Sequence, residues 1–265
     1  MPVDFNKEVR LHMINEETLP SILHERGFCC EKIACRKGMK TPDFLVKCSE
    51  SSYLIELKEK FSDPNRLAVR DAELVAGKVA GEIYKGGYNN SVSSIIEDAV
   101  SQLASDAAPK ADFRLVWLHA QGHLPDLQID NIKSTLYGIA TIVDWGKEKG
   151  FSGECLYFCE SEFFRHRSVL DGVIMTFEDQ GQLCLNDCSP RYADLKSSAL
   201  CRSFNEAVID PVEIEKDSGS IVLRTNIDRR DSSALLSFLR DTYGMMQPHK
   251  MDMKHCSGTV LVSGI

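Results

Sequence analysis

Two short β-rich segments separated by a polar turn constrain this sequence more than any other feature. Residues 43–48 and 53–58 combine aromatic and branched aliphatic side chains, whereas residues 49–52 between them are small and polar. The pattern predicts a β-hairpin of two antiparallel strands. Because Tyr53, Leu54 and Ile55 are all apolar, the second strand is expected inside a sheet, with neighbours on both sides.

Charged side chains lie on this hairpin where strand periodicity groups them. Alternate residues of a strand share a face, so Glu56 and Lys58 project together while Leu57 points towards the core. With the turn centred near residues 50–51, Asp43 is expected opposite Lys58. Two carboxylates and the Leu57 carbonyl supply hard oxygen ligands for Mg²⁺ or Mn²⁺. In phosphodiester hydrolysis, a lysine beside such a cation can orient the attacking water, help its deprotonation and stabilise the negative charge that develops on the phosphate.

Helical and strand patterns alternate through the first 150 residues. Leu19, Ile22 and Leu23 share one face of a helix predicted over residues 15–26, which Gly27 ends. The other predicted elements are a strand at 28–36, the hairpin, a helix at 66–84, a helix at 91–105, a strand at 113–119, a helix at 126–136 and a strand at 139–145. This order predicts an α/β fold with a central mixed β-sheet flanked by helices.

Strand patterns are more frequent after residue 150. Strands are predicted at 154–159, 172–177, 182–186 and 220–224, with a turn at Gly181 and helices at 191–205 and 232–243. The expected organisation is a core at 1–150 followed by a β-containing α+β extension at 151–265. No linker composition marks the boundary, so one continuous domain is the alternative.

The charged hairpin resembles the motif of the PD-(D/E)xK nuclease superfamily. Pro42 and Asp43 stand before the first strand segment, and Glu56 and Lys58 follow on the second with one residue between them. The core of that family is a helix, a three-stranded meander, a second helix and a further strand, and the predicted elements from about residue 15 to residue 119 have this order. The resemblance implies a restriction-endonuclease-like core and metal-dependent hydrolysis of nucleic-acid phosphodiester bonds, with DNA favoured over RNA.

The resemblance also implies roles for individual residues. Asp43 and Glu56 would bind Mg²⁺ or Mn²⁺, and Lys58 would position the nucleophilic water. Glu16 on the first helix would complete the metal shell, and Gln102 on the helix at 91–105 would lie beside the catalytic lysine. The alternatives are an acidic helix N-terminus favoured by the helix dipole for Glu16, and a boundary residue of an amphipathic helix for Gln102.

Charge and composition limit how such an enzyme finds its substrate and where it works. The formal net charge of −8 counts against non-specific adhesion to nucleic acid. A protein partner or a homodimer is therefore expected to help capture the substrate. The resemblance implies a role in phage defence or DNA repair beside a partner such as an ATPase or sensor subunit. No apolar run is long enough to span a membrane, and residues 1–13 lack the apolar stretch of a signal peptide. The ten cysteines, among them Cys29, are expected to be buried free thiols in a cytoplasmic protein.

Two functions other than nuclease activity remain open. The chain could be a catalytically silent restriction-endonuclease-like scaffold or regulatory subunit of a larger complex. It could also be a binding module of unrelated α/β fold, in which the hairpin carries only solvated surface charges. The sequence contains no glycine-rich phosphate loop of the G-x-x-x-x-G-K-[ST] type and no H-E-x-x-H metalloprotease motif, which argues against those two chemistries.

Overall fold

The computed structural model describes residues 14–34, 40–61, 64–121, 125–146, 150–177, 180–251 and 256–261. These residues form nine α-helices, one short 3₁₀ helix and thirteen strands. The helices are α1 (Leu19–Glu25), α2 (Pro64–Val75), α3 (Asn90–Leu103), α4 (Pro125–Tyr137), α5 (Glu162–Arg165), α6 (Tyr192–Ser197), α7 (Ala199–Phe204), α8 (Pro211–Ser218) and α9 (Ser232–Tyr243). The strands are β1 (Cys29–Lys32), β2 (Phe44–Lys47), β3 (Ser52–Phe61), β4 (Ala80–Lys85), β5 (Phe113–Gln121), β6 (Ala140–Asp144), β7 (Phe151–Leu156), β8 (Gly172–Phe177), β9 (Gln180–Leu185), β10 (Val208–Ile209), β11 (Ile221–Val222), β12 (Pro248–Met251) and β13 (Cys256–Leu261).

A seven-stranded mixed sheet forms the centre of the molecule. Its strand order is β1-β2-β3-β5-β8-β9-β10. β1, β2 and β3 form an antiparallel meander, and β5 lies parallel to both β3 and β8. The predicted α/β class with a central mixed sheet is confirmed. β3 lies inside the sheet, as its apolar sequence predicts.

Two apolar cores cover the faces of the central sheet, and alternate residues of β3 belong to different cores. Leu54 packs on the face covered by α3 and α4, whereas Ile55 packs on the face covered by α1, α6 and α7. A second sheet, β11-β7-β6-β12, supplies further residues such as Ile142 to the first of these cores. Glu56, which follows Ile55, therefore lies on the face below α3.

Strands from both sides of residue 150 belong to the same sheets. β8, β9 and β10 extend the central sheet beyond β5, and β6 pairs with β7 across this position in the second sheet. In both sheets, strands that precede the boundary predicted at residue 150 therefore pair with strands that follow it. In the described part of the chain, no helix is long and apolar enough to cross a membrane.

Two predicted helices differ from the observed ones. The helix predicted at 66–84 ends at Val75, because residues 80–85 form β4 and pair with β13 from the far end of the chain. A partner so distant in sequence leaves no local signal. The helix predicted at 191–205 is two helices, since Ser198 has an extended backbone and its hydroxyl accepts the N–H of Cys201 to cap α7.

Two smaller predictions are also corrected. Gly181, predicted to lie in a turn, belongs to β9, which begins at Gln180 and pairs with β8. Cys29 is exposed because it lies on β1, an edge strand with little covering it. Eight of the ten cysteines are free thiols in the structure, whereas Cys35 and residues 1–13 lie outside the described residues.

Gly138 provides a test of the contact between the α4–β6 turn and the segment that follows β7. It has a φ of 59°, its carbonyl accepts the N–H of Cys159 at 2.9 Å, and an added Cβ would lie 2.4 Å from the Cys159 carbonyl oxygen. Gly219 has a similar φ of 68° but open space around it. We expect Gly138→Ala to lower the free energy of unfolding by about 2–4 kcal/mol and Gly219→Ala by about 1 kcal/mol. Chemical denaturation measures both, and equal losses would contradict a role for the Cys159 contact.

Candidate functional site

The β2–β3 hairpin places Asp43 beside Glu56. Phe44 pairs with Ile55, so the residue preceding β2 lies opposite Glu56, and Asp43 Oδ2 accepts the Leu57 N–H at 2.9 Å. The expected pairing of Asp43 with Lys58 is therefore wrong by two residues. The cause is a turn that lies earlier in the chain than assumed, since Lys47 already pairs with Ser52.

Glu56 is a buried carboxyl group, and Lys58 and Gln102 both contact the same one of its two oxygens. Its side chain is 2% exposed, and Oε1 lies 2.9 Å from Lys58 Nζ and also accepts the amide of Gln102. Oε2 is buried and receives no hydrogen bond from a described donor, and the Glu56 carboxyl group is in hydrogen-bonding contact with that of Asp43. Burial raises the pKa of Glu56 to about 8, opposed by the hydrogen bond from Lys58 and assisted by the charge of Asp43. Burial likewise raises the pKa of Asp43.

Lys58 bridges two carboxyl groups on different elements. Its Nζ lies 2.9 Å from Glu56 Oε1 and 2.7 Å from Asp98 Oδ2, and its side chain is about one-fifth exposed. Partial burial opposes the charged form, but the hydrogen bonds to Asp98 and Glu56 outweigh it and raise the pKa of Lys58. The side chain is therefore an ammonium group at neutral pH.

Helix α3 contributes two polar residues to this site. The side chain of Asn89 accepts the N–H groups of Ser91 and Val92 and so fixes the start of the helix. Asp98 and Gln102 are four residues apart and share a face of the helix. The Gln102 amide donates to Glu56 and, at 3.3 Å, to Asp98 Oδ2. Gln102 thus lies in the site, with the carboxyl group of Glu56 as its nearer partner.

Sequence analysis did not identify Asp98 or Lys40. Lys40 Nζ donates to Asp98 Oδ1 at 2.8 Å and to Ser101 Oγ at 3.1 Å. The hydrogen bonds from Lys40 and Lys58 lower the pKa of Asp98 to about 2, so it is ionised. The spacing of four residues between Asp98 and Gln102 is a signal that could have found Asp98. For Lys40, which precedes β2, no comparable signal exists.

Glu16 lies at the edge of the site. It belongs to a turn before α1, in which the Asn15 side chain accepts the N–H groups of Glu17 and Thr18, so the first helix begins later than predicted. The carboxylate of Glu16 pairs with Lys32 on β1, and about half of its side chain is exposed. Its charge adds to the effect of burial in raising the pKa of Asp43. Glu16 is therefore a neighbour of Asp43 and has no hydrogen bond to Glu56 or Lys58.

The oxygen atoms around Glu56 suit a divalent cation. Asp43 and Glu56 provide neighbouring carboxyl groups, and the buried Oε2 of Glu56 receives no hydrogen bond from a described donor. Because the N–H and C=O of a strand residue point to the same edge, the Leu57 carbonyl is directed to the side of Asp43. No group of three or more His, Cys, Asp or Glu side chains in the described ranges is arranged to hold a metal ion. A cation here would therefore need water or substrate oxygens to complete its coordination.

Comparison of the chain with protein-family models, with curated proteins and with solved structures found no match. The chemical capacity of the site follows from its own groups. Two carboxyl groups with raised pKa values lie together, and a lysine ammonium is held between Glu56 and Asp98. This set favours a divalent cation together with a negatively charged substrate oxygen.

The raised pKa of Glu56 predicts how stability depends on pH without metal. Between its unfolded pKa near 4.5 and its folded pKa of about 8, the folded state holds the proton more tightly. The stability that Glu56 contributes is thus complete below the unfolded value and is lost as the pH rises to about 8. We expect Glu56→Gln, which keeps a neutral side chain, to be more stable than wild type at pH 9 by on the order of 2–4 kcal/mol.

Denaturation in EDTA at pH 5.5 and pH 9 measures this difference. Glu59→Gln on the same strand is the matched control, because Glu59 is exposed. A gain from Glu56→Gln that is the same at both pH values would contradict the assignment.

Proposed function

We propose that this chain is a divalent-metal-dependent nuclease with Asp43, Glu56 and Lys58 at its active site. The observation that carries the proposal is the meeting of these three side chains and Gln102 around β3, an inner strand of the central sheet. Three contacts define the meeting: Asp43 with the Leu57 N–H, Lys58 with Glu56, and Gln102 with Glu56. The chain order α1, β1-β2-β3 meander, α3 and parallel β5, with α2 and β4 inserted between β3 and α3, supports the resemblance to the PD-(D/E)xK superfamily.

The burial of Glu56 argues against a hairpin that merely carries surface charges. A carboxyl group that is 2% exposed, with one oxygen that receives no hydrogen bond from a described donor, is costly to hold inside a protein. An apolar residue at this position of the strand would pack without that cost. Buried acids with strongly shifted pKa values are concentrated at functional sites.

Asp43 and Glu56, with the Leu57 carbonyl, would hold the cation. Mg²⁺ or Mn²⁺ bound there would stabilise negative charge on a phosphoryl oxygen and acidify a bound water. Gln102 holds Oε1 of Glu56, which leaves Oε2 as the oxygen available to a ligand. Binding of a cation would favour the ionised form of Glu56 over the protonated one.

Lys58 acts in this proposal as a hydrogen-bond donor. An ammonium group has three N–H donors, and Glu56 and Asp98 take two of them. The third remains for the attacking water or for a phosphate oxygen. Because its pKa is raised, Lys58 is protonated and can orient water and stabilise negative charge, but it cannot take up a proton in this state.

DNA is the favoured substrate because of the resemblance, and capture of the substrate is proposed to need help. The chain carries a net charge of −8, and at the rim of the site Lys40 is already paired with Asp98. Electrostatic attraction of a polyanion by the isolated chain is therefore weak. We propose that a protein partner, such as an ATPase or sensor subunit, or a second copy of the chain supplies the missing binding surface.

Cleavage assays test the proposed activity. Plasmid, linear duplex, single-stranded DNA and RNA are incubated with wild type, Glu56→Gln and Lys58→Met in Mg²⁺ or Mn²⁺. We expect cleavage by wild type only with metal, and a loss of at least about 100-fold in each variant, because each removes a group that acts on the reacting phosphate. Gel electrophoresis of the products gives the rates and shows which nucleic acid is the substrate.

Matched controls come from the same hairpin. Glu59→Gln and Lys47→Met change exposed residues of β3 and β2, and both should cleave at the wild-type rate. Cleavage that persists in Glu56→Gln and Lys58→Met would contradict the assignment of the site.

A catalytically silent scaffold is the second candidate, favoured by the absence of a third metal-ligand side chain in the described residues. Calorimetric titration with Mn²⁺ separates the two candidates if no substrate is cleaved. We expect wild type to bind Mn²⁺ and Glu56→Gln to bind it at least about 10-fold more weakly. Equal, weak binding by both proteins would favour the scaffold.

A further inference from the structure

Asp98 contacts Lys58 but has no role in the proposed nuclease mechanism. It lies on α3, outside the charged hairpin, and its two carboxylate oxygens bind two different lysines. Oδ2 accepts Lys58 Nζ at 2.7 Å, and Oδ1 accepts Lys40 Nζ at 2.8 Å. Gln102, one turn further along α3, also donates to Oδ2. Asp98 is therefore held from both sides.

We propose that Asp98 is a positioning residue, which holds the Lys58 ammonium above Glu56 with its third N–H directed towards the substrate. The proposal rests on the proposed function and extends the site to α3. Asp98 is ionised and occupies one donor of Lys58, so Lys58 is not committed to Glu56 alone. Glu56 thereby keeps an oxygen for a cation, and Lys58 keeps a fixed direction.

A lysine needs such a partner more than most catalytic groups do. Its side chain is a flexible four-carbon chain ending in a point charge, and loss of one fixed contact leaves many rotamers open. Glu56 by itself is a weak anchor, because the same carboxyl oxygen that contacts Lys58 also accepts the Gln102 amide. Catalysis is sensitive to errors of about 1 Å in the position of a reacting group. A second anchor on a well-packed helix corrects this weakness.

A surface ion pair is the competing explanation, and it makes a different prediction. The side chain of Asp98 is 46% exposed, and exposed ion pairs contribute little to stability. On that explanation, removing Asp98 alters neither folding nor turnover. A positioning role also leaves folding nearly unchanged but lowers turnover.

Steady-state cleavage by Asp98→Ala, Asp98→Glu and the neighbouring control Glu97→Ala separates these explanations. Glu97 is exposed on α3 and has no contact with the site. We expect Asp98→Ala to lower kcat by about 10- to 100-fold while KM changes little, since Lys58 would lose its direction but not its charge. Asp98→Glu should restore most of the lost kcat, because a longer carboxylate can still bind both lysines. A kcat for Asp98→Ala equal to that of Glu97→Ala would overturn the proposal.

A second measurement does not require cleavage. NMR relaxation of the Lys58 side chain, labelled with ¹³C at Cε, reports its mobility in the metal-free protein. We expect greater mobility in Asp98→Ala and wild-type mobility in Glu97→Ala. If wild type cleaves no substrate, Mn²⁺ titration decides about the proposed function, and the mobility of Lys58 decides about Asp98. Unchanged mobility of Lys58 in Asp98→Ala would overturn the positioning role.

Discussion

The site depends on a difference between the two strands that flank β3, because β2 pairs with a shorter part of β3 than β5 does. β2 pairs with β3 only as far as Ile55, whereas β5 pairs with β3 as far as Phe61. Beyond Ile55, no strand among the described residues pairs with the β2 side of β3, and the Asp43 carboxylate accepts the N–H of Leu57 instead. This one hydrogen bond satisfies a buried backbone donor and fixes a carboxylate beside Glu56.

Five charged side chains of the site form a row, and acids and lysines alternate along it from Glu56 onwards. It runs from Asp43 through Glu56, Lys58 and Asp98 to Lys40, from the buried end of β2 to the rim of α3. The two acids at the buried end have raised pKa values, whereas Asp98 near the surface has a lowered one. Lys58 lies between Glu56 and Asp98, and on the proposed function the cation would bind the two acids at the buried end.

Burying these groups opposes stability at the place where the fold is otherwise strongest. Leu54 and Ile55 are fully buried on opposite faces of β3, and Glu56 is buried on the same face as Leu54. A rigid strand and a capped helix hold Glu56, Lys58 and Gln102 in fixed relation, which a loop would do less well. The rigidity of the central sheet is thus the condition for orienting charged groups that destabilise it.

The sequence by itself determined the α/β class, the inner position of β3 and the shared face of Glu56 and Lys58. These follow from local periodicity and apolar content, which depend only on neighbouring residues. The tertiary structure alone decided the register that sets Asp43 opposite Glu56, the strand at 80–85 and the contacts of Asp98 with Lys58 and Lys40. Each of these depends on groups far apart in the chain, whose approach is fixed by turn geometry and packing and leaves no periodic trace in the sequence.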